Sequence, residues 1–272
     1  MDILKTDFEY IANFLLQASG YQLLDEKKYL LETRLEDVLK SHGLMDVSQL
    51  VSRLKDAYCM DMANDIIEAM TVNETFFFRD KSPFDTFEEH VIPQLQARDP
   101  SETFRIWSAA CSTGQEAYSI AMLMAEHRHK FPKLKYEIIA SDINTNVLNQ
   151  ARRGLYSDLE VNRGLPEAYR EKYFTMNGER WQIDDEIRQA VKFYKLNLHE
   201  PYPFARKFDF VMLRNVLIYF NDNMKEAVLN RISYHMNDCG KLLLGAAEGI
   251  YDMDHYFQRC DIANGLYILN RT

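Results

Sequence analysis

The sequence predicts an α/β protein in which an all-α N-terminal domain precedes a mostly parallel sheet that carries a small antiparallel insertion. Three observations lead to this fold class. The first 70 residues have only helical apolar spacing, apolar strands and helices alternate from residue 104, and a polar segment at 154–190 interrupts the alternation. Alternating strands and helices bury both faces of a parallel sheet, so the pattern favours a layered α/β domain.

The N-terminal domain, residues 1–72, is predicted to be a small helical bundle. Its apolar residues recur at about 3.6 residues per turn and form one face on each successive helix. These faces comprise Phe8, Ile11, Phe14 and Leu15, then Leu30, Leu31, Leu35, Val38 and Leu39, then Leu50, Val51 and Leu54, then Met62, Ile66, Ile67 and Met70. Gly20 and Gly43 fall where helices should end.

Residues 73–103 are predicted to form a linker and a connecting helix. The linker contains three consecutive phenylalanines, which are more typical of a plug at a domain junction than of a ligand site, whereas Asn73, Thr75 and Arg79 remain available to face a cleft. Ser82 and Pro83 predict the start of the helix, with Ser82 as N-cap and Pro83 in the first helical position.

The remaining residues, 104–272, are predicted to form the catalytic domain. The elements are strand 104–110, helix 113–130, strand 136–141, helix 144–153, an insertion at about 154–190 with a tight hairpin at Asn177-Gly178, strands 191–198 and 208–213, helix 222–237, strand 241–246, and a final hairpin from 256–260 and 266–269. A final hairpin on a parallel sheet is typical of the Rossmann-like fold of S-adenosylmethionine-dependent methyltransferases.

Charge and length exclude several classes of protein. The 272 residues can bury a full core, and a net charge of −9 argues against a general nucleic-acid binder, which needs a basic face. No run reaches the roughly 18 apolar residues of a membrane span, and the start lacks a signal-peptide pattern. Four scattered cysteines predict reduced, mostly buried thiols. We therefore expect a cytoplasmic protein without membrane insertion.

The turn after the first predicted strand, Ala110-Cys-Ser-Thr-Gly114, contains a single glycine. A dinucleotide pyrophosphate needs close backbone approach and therefore more glycines, which counts against NAD and FAD. S-adenosylmethionine has no phosphates, so a less permissive turn suffices for it. A turn that binds nothing is the alternative.

Polar residues also end the other predicted strands. Asp142 stands where such folds bind ribose hydroxyls, although it could instead belong to the N-cap region of the next helix. Asn197-Leu198 falls where adenine would lie, although an asparagine after a strand is more often a turn former. The pair Arg214-Asn215 lies within an apolar run, so it meets either a ligand or a partner, or forms a buried arginine–carboxylate pair.

Four ordered motifs together resemble the CheR family of chemotaxis receptor glutamate O-methyltransferases, over nearly the whole chain. They are Asn73-x-Thr75-x-Phe-Phe-Arg79, Trp107-Ser-Ala-Ala-Cys-Ser-Thr-Gly114-x-Glu116-x-Tyr118-Ser119, Ser141-Asp142-Ile143 and Arg214-Asn215-Val-x-Ile-Tyr219-Phe220.

This resemblance implies S-adenosylmethionine as methyl donor, S-adenosylhomocysteine as product and no metal. It implies that glutamates in the cytoplasmic helical bundle of a chemoreceptor become methyl esters, and we expect the enzyme to be a monomer. The cofactor contacts it implies are Asn73, Thr75, Arg79, Gly114, Glu116, Asp142, Asn197, Leu198, Arg214 and Asn215. Arg79 and Tyr219 match the methyl-transfer site. A glutamate carboxylate is already ionised at neutral pH, so this chemistry needs no strong general base.

Two features depart from what the resemblance implies. Residues 1–70 carry seven Lys/Arg against thirteen Asp/Glu, so only Lys27 and Arg34, with Lys28, Lys40, Arg53 and Lys55 nearby, could form a basic patch for acidic receptor helices. The hairpin at Asn177-Gly178 is tight, so we expect no dependence on the C-terminal receptor pentapeptide that some members bind by strand addition. A methyltransferase with another acceptor and a non-catalytic cofactor sensor are the alternatives.

Overall fold

The computed structural model describes residues 3–56, 59–250 and 255–270, and it divides into two compact units. The first comprises residues 1–72 with the short segments 197–200 and 219–227, and the second comprises 73–196, 201–218 and 228–272. Both short segments lie in the part of the sequence assigned above to the catalytic domain. Within the described ranges, no helix is both long enough and apolar enough to cross a lipid bilayer.

The first unit is a bundle of short helices around an apolar core. Its helices are α1 Lys5–Ser19, α2 Tyr29–Arg34, α3 Glu36–Ser41, α4 Val47–Asp56 and α5 Met60–Met70, with a 3₁₀ turn at Asp25–Lys27. The core includes Ile11, Leu15, Leu31, Leu35, Leu50 and Ile66, all fully buried, as the apolar spacing predicts. The predicted second helix is in fact two helices, because the chain is interrupted at Leu35. Gly20 ends α1 in the left-handed conformation, as predicted.

The second unit alternates strands and helices as predicted. In chain order it contains α6 Ser82–His90, β1 Thr103–Ala109, α7 Gln115–Glu126, β2 Lys135–Asp142, α8 Thr145–Arg153, β3 Leu155–Tyr156, α9 Asp158–Asn162, α10 Glu167–Tyr173, β4 Phe174–Asn177, β5 Arg180–Ile183, α11 Asp185–Gln189, β6 Val191–Lys195, β7 Phe208–Leu213, α12 Asp222–Tyr234, β8 Met236–Leu244, β9 Phe257–Arg259 and β10 Leu266–Leu269. The start of α12 belongs to the first unit by the division above.

Seven strands form the main sheet, in the order β6-β2-β1-β7-β8-β10-β9. The pairs among β6, β2, β1, β7 and β8 are parallel, whereas β10 runs antiparallel to both of its neighbours. The chain moves from β1 outward to β6 on one side and then returns to β7 on the other. This is the Rossmann-like methyltransferase sheet that the alternation and the final hairpin predict.

The insertion is a three-stranded antiparallel sheet in the order β3-β5-β4. Its β4–β5 hairpin turns at Asn177 and Gly178, and Gly178 has φ 64°, the left-handed geometry that this turn requires. The predicted hairpin is therefore present. A capping box between Ser157 and Glu160 starts α9 inside the same insertion.

Two further local predictions were wrong. Ser82 is the first residue of α6 and not its N-cap, because Asp80 and Lys81 are both left-handed and the chain enters the helix from Lys81. Only Cys111 of the four cysteines is buried, while Cys239 is exposed and Cys59 and Cys260 are half-buried. All four are free thiols, as expected for a chain without disulfides.

Candidate functional site

The carboxyl ends of three neighbouring strands meet at one edge of the main sheet. Ala109 at the end of β1 pairs with Ser141 of β2 and with Leu213 of β7. The loops that follow these strands therefore begin side by side. The chain order reverses between β1 and β7, and ligands of open α/β sheets bind at such a switch point.

The turn after β1 has an unusual backbone. Ala110 has φ 58° and Ser112 has φ 50°, and Gly114 has φ 90°. A left-handed residue other than glycine costs on the order of 1 kcal/mol, so the surrounding structure must hold Ala110 and Ser112 in place. A Cβ at Gly114 would also lie 2.9 Å from the Cβ of Ala151. The turn thus requires the positive φ angles of a glycine-rich turn, although alanine and serine occupy two positions where glycine would cost less conformational energy.

Asp142 holds this turn from the tip of β2. Its Oδ2 accepts a hydrogen bond from the Ser112 N–H at 2.8 Å, and its Oδ1 accepts one from the Asn144 N–H at 2.9 Å. The side chain that caps α8 is Asn144, which accepts from the N–H groups of Asn146 and Val147. Asn144, and not Asp142, is therefore the N-cap of α8. Asp142 is a buried carboxylate beside the turn.

Cys111 lies inside the same turn. Burial, together with the negative charges of Asp142 and Glu116, holds the pKa of its thiol well above the ordinary value. The thiol therefore stays protonated at neutral pH, and Cys111 is not a nucleophile.

Glu116 and Arg214 form a buried ion pair at this edge. Arg214 NH1 donates to Glu116 Oε2 at 2.9 Å, and the hydroxyl of Ser108 donates to Glu116 Oε1 at 2.7 Å. Arg214 NH2 donates to the carbonyl of Arg79 at 2.9 Å and to Asp80 Oδ2 at 2.7 Å. The buried arginine–carboxylate pair that the sequence allowed is present. Arg214 Nε is buried and has no hydrogen-bond partner among the described residues.

The segment 73–80 is held against this edge by backbone contacts. The hydroxyl of Ser112 donates to the carbonyl of Asn73 at 2.9 Å, and the hydroxyl of Ser119 accepts from the Phe78 N–H at 3.0 Å. Phe77 is fully buried, and its ring lies 5.1 Å from that of Tyr156. This phenylalanine therefore belongs to the core of the second unit.

Three polar side chains, at this edge or in the segment 73–80 beside it, make no hydrogen bond to any described residue. They are those of Asn73, Thr75 and Asn215, and each residue is half-buried. Asn215 is also left-handed, with φ 58°. Arg79 donates through NH1 to the carbonyl of Glu74, 2.5 Å away. Polar groups of this kind are suited to meet a ligand.

The structure brings together seven of the predicted residues, and three others belong to the first unit. The contacts described above place seven residues at or beside the edge: Asn73, Arg79, Gly114, Glu116, Asp142, Arg214 and Asn215. Thr75 lies in the same segment as Asn73. Asn197, Leu198 and Tyr219 lie in the first unit.

Within the first unit, Asn197 and Tyr219 have defined partners. Asn197 Nδ2 donates to the carbonyl of Ala18 at 2.7 Å, and its Oδ1 accepts from the His199 N–H at 3.0 Å. The Tyr219 carbonyl accepts from the Gln22 N–H at 3.0 Å. Leu198 is buried. Their roles toward the cofactor and in methyl transfer stay predictions.

Sequence reasoning missed Ser108, Asp80 and Glu248. Glu248 follows β8 and accepts hydrogen bonds from backbone N–H groups of the loop after β7. The available signal was an acidic residue among small residues shortly after an apolar strand, in Gly245-Ala-Ala-Glu248-Gly249. Ser108 and Asp80 gave no signal of their own, since their importance comes from contacts with Glu116 and Arg214.

Two family models match the chain. One, described as "CheR methyltransferase, all-alpha domain", matches residues 6–71, and the other, described as "CheR methyltransferase, SAM binding domain", matches residues 73–266. Together they span nearly all of the sequence.

Two chemotaxis protein methyltransferases are similar to this chain over nearly its whole length. The chemotaxis protein methyltransferase Cher2 of Pseudomonas putida is 36% identical over 264 residues, which is 96% of either chain. The chemotaxis protein methyltransferase 1 of Pseudomonas aeruginosa is 35% identical over 270 residues, which is 98% of either chain. Among solved structures, the glycopeptide N-methyltransferase MtfA has a TM-score of 0.38 and 13% identity, over 60% of this chain and 55% of its own.

Proposed function

The chain belongs to the CheR methyltransferase family, and on this basis we propose that it transfers a methyl group from S-adenosylmethionine to glutamate side chains of chemotaxis receptors. The products are glutamyl methyl esters and S-adenosylhomocysteine. The observation that carries the proposal is the full-length similarity to chemotaxis protein methyltransferases, which spans both domains.

The residues at the edge fit S-adenosylmethionine. Asp142 is a buried carboxylate acceptor at the tip of β2, which suits the hydroxyls of a ribose. Asn73, Thr75 and Asn215 offer amide and hydroxyl groups without a partner in the described part of the chain. Glu116 and Arg214 lie at the same edge as a buried ion pair, and we assign both to the cofactor site as the family resemblance implies.

The bound cofactor supplies a methyl group on a positively charged sulfur. The acceptor carboxylate is ionised at neutral pH, so attack neutralises two charges and needs no proton transfer by the protein. The residues of this chain therefore act by orienting the acceptor and by excluding water from its carboxylate. We assign this orienting role to Arg79 and Tyr219, as the family resemblance implies.

The proposed partner is the cytoplasmic helical bundle of a receptor. The basic residues available to meet it in the helical unit are few, because several are engaged locally. Arg34 NH1 donates to the carbonyls of Met70 and Thr71, and Lys28 Nζ donates to the carbonyl of Ile3. The side chain of Lys27 has no hydrogen bond or ion pair in the described ranges, so its ammonium group is free to meet a receptor carboxylate.

We further propose that the enzyme acts without a receptor pentapeptide tether. The outer strands of the insertion are β3, with two residues, and β4, with four. Such short strands offer few backbone groups for the addition of an extended peptide. Receptor fragments with and without the terminal pentapeptide should then be methylated at equal rates.

Methyl transfer to purified receptor cytoplasmic fragments tests the proposed function. Labelled S-adenosylmethionine is supplied, and the expected outcome is base-labile label on glutamate. A matched fragment with glutamine at the same positions is the control and should take up no label. Label in other proteins but not in receptor fragments would favour a different acceptor, and cofactor binding without any transfer would favour a cofactor sensor.

A further inference from the structure

The carboxylate of Glu248 accepts four backbone hydrogen bonds at the carboxyl edge of the main sheet. Oε1 accepts from the N–H groups of Val216 at 2.9 Å and Leu217 at 2.7 Å. Oε2 accepts from those of Asn215 at 2.8 Å and Gly245 at 2.9 Å. A carboxylate has about four lone-pair positions, so these four donors use its full capacity.

Three of these donors are consecutive residues of the loop that follows β7. The left-handed conformation of Asn215 turns the chain out of the strand, so the N–H groups of residues 215–217 have no partner in the sheet. A half-buried N–H group without a partner is costly, and one carboxylate supplies acceptors for all three. Glu248 thereby joins the loop after β8 to the loop after β7.

We propose that Glu248 is a positioning residue, whose carboxylate fixes residues 215–217 and so places Arg214 and Asn215 for cofactor binding. This inference rests on the cofactor site proposed above. Among the described residues, the one hydrogen bond between Glu248 and a predicted cofactor residue is that from the backbone N–H of Asn215. The effect of Glu248 on the cofactor must therefore pass through the shape of the loop.

The pattern of donors makes glutamine a poor substitute for Glu248. Each carboxylate oxygen faces two N–H groups, so a glutamine in either orientation would direct its own NH₂ group at two donors. Glu248→Gln keeps the size of the side chain but cannot keep the four bonds. A residue that only filled space would tolerate this change.

Gly245 provides an independent test of the same contact. A Cβ at Gly245 would lie 2.6 Å from Glu248 Oε2 and 3.2 Å from the backbone nitrogen of Asn215. The φ of Gly245 lies outside the left-handed region, so Gly245→Ala creates no backbone strain of that kind. The variant should displace the carboxylate while leaving its charge in place, and should act in the same direction as Glu248→Gln.

Two measurements on the full chain decide the matter. Hydrogen exchange reports on the amides of residues 215–217 and 245, and isothermal titration reports the Kd for S-adenosylhomocysteine. In Glu248→Gln we expect exchange protection of these amides to fall, and the Kd to rise, each by about tenfold or more, because hydrogen bonds to a charged group contribute that much. Gly245→Ala should reproduce both changes.

Asp209 is the matched control, since it is a buried carboxylate with three donors at the other end of β7. It accepts from the Arg105 N–H, from Arg98 NH2 and from Asn237 Nδ2. Asp209→Asn should lower the melting temperature and leave the Kd of the folded protein unchanged.

Three results separate the possibilities. Unchanged protection and Kd in Glu248→Gln would overturn the inference, and so would an equal rise of the Kd in Asp209→Asn, which would point to general destabilisation. A wild-type protein that binds no S-adenosylhomocysteine would instead overturn the cofactor site and the cofactor part of this inference. The exchange measurement would still decide whether Glu248 holds the loop.

Discussion

Arg214 and Glu116, 98 residues apart in the chain, form an ion pair at 2.9 Å with side chains that are 1% and 11% exposed. Burial of two charges is costly, and the cost is offset only where both have further partners. Ser108 supplies one to Glu116, and Asp80 supplies one to Arg214. The pair therefore ties the first turn of α7 to the loop after β7.

Removal of Glu116 should destabilise the fold strongly. In Glu116→Ala the guanidinium of Arg214 keeps the carbonyl of Arg79 and a single carboxylate, that of Asp80, which is 40% exposed, so we expect a loss of about 3 kcal/mol in the free energy of unfolding. Chemical denaturation measures it. Glu102→Ala is the control, because Glu102 pairs with Arg98 at the surface and should contribute less than about 1 kcal/mol. Equal losses in the two variants would contradict this account of the buried pair.

Replacement of Asp142 by alanine should abolish micromolar binding of S-adenosylhomocysteine. The change removes the proposed ribose acceptor and also frees the Ser112 N–H that fixes the turn after β1. Isothermal titration measures the binding. The control is Asp99→Asn, in an exposed turn before β1 where Asp99 accepts from the Ser101 N–H, and it should bind as the wild type does. Wild-type affinity in Asp142→Ala would rule out the assigned cofactor edge.

The strands and the antiparallel insertion follow from local sequence patterns. Strand β7 has the predicted bounds, 208–213, and the β4–β5 hairpin turns at the predicted Asn177-Gly178. In both cases the signal lies within a few adjacent residues: a continuous apolar run for a strand buried on both faces, and a turn that needs a left-handed glycine.

Such local patterns could not predict contacts between residues that are distant in the sequence. β6 ends at Lys195, three residues earlier than predicted, because its partner strand β2 ends at Asp142, the residue that pairs with Lys195. The left-handed conformation of Ala110 and the four bonds of Glu248 likewise depend on neighbours that are remote in sequence. The sequence singled out Asp142 and Arg214 as candidate site residues, but it gave no sign of the side chains and backbone groups that hold them.

Tyr219→Phe should lower kcat more than it raises the Kd for the cofactor. Its hydroxyl is proposed to orient the acceptor, so its loss affects the transition state, whereas the backbone contact of Tyr219 with Gln22 remains. Steady-state kinetics and titration give the two values. Tyr21→Phe is the control, since that ring lies 5.9 Å from the ring of Tyr219 and has no proposed part in transfer. Equal changes in kcat and Kd, or none, would refute the role.

The stability of the second unit should fall in acid partly through Glu137. Burial is the largest single influence on the pKa of Glu137 and raises it. The hydrogen bonds and charges of Lys192 and Arg105 together lower this pKa by more than burial raises it, so the net shift is downward. The unfolded chain therefore binds this proton more tightly than the folded one. The ion pairs stabilise the fold above the unfolded pKa of about 4.3, and this contribution is lost as the pH falls through the lower, folded value.

Glu137→Gln isolates this contribution. At neutral pH the variant should be less stable than the wild type by on the order of 1 kcal/mol, because the pairs are only partly buried. The difference should shrink once the pH falls below about 4.3, and it should disappear as the pH falls through the lower pKa of the folded protein, where the wild-type carboxylate becomes protonated. Urea unfolding across that range measures it, with Glu179→Gln as the control, because Glu179 is exposed and has no ion pair in the described ranges. A difference between wild type and Glu137→Gln that stays constant with pH would mean that Lys192 and Arg105 do not stabilise the ionised carboxylate.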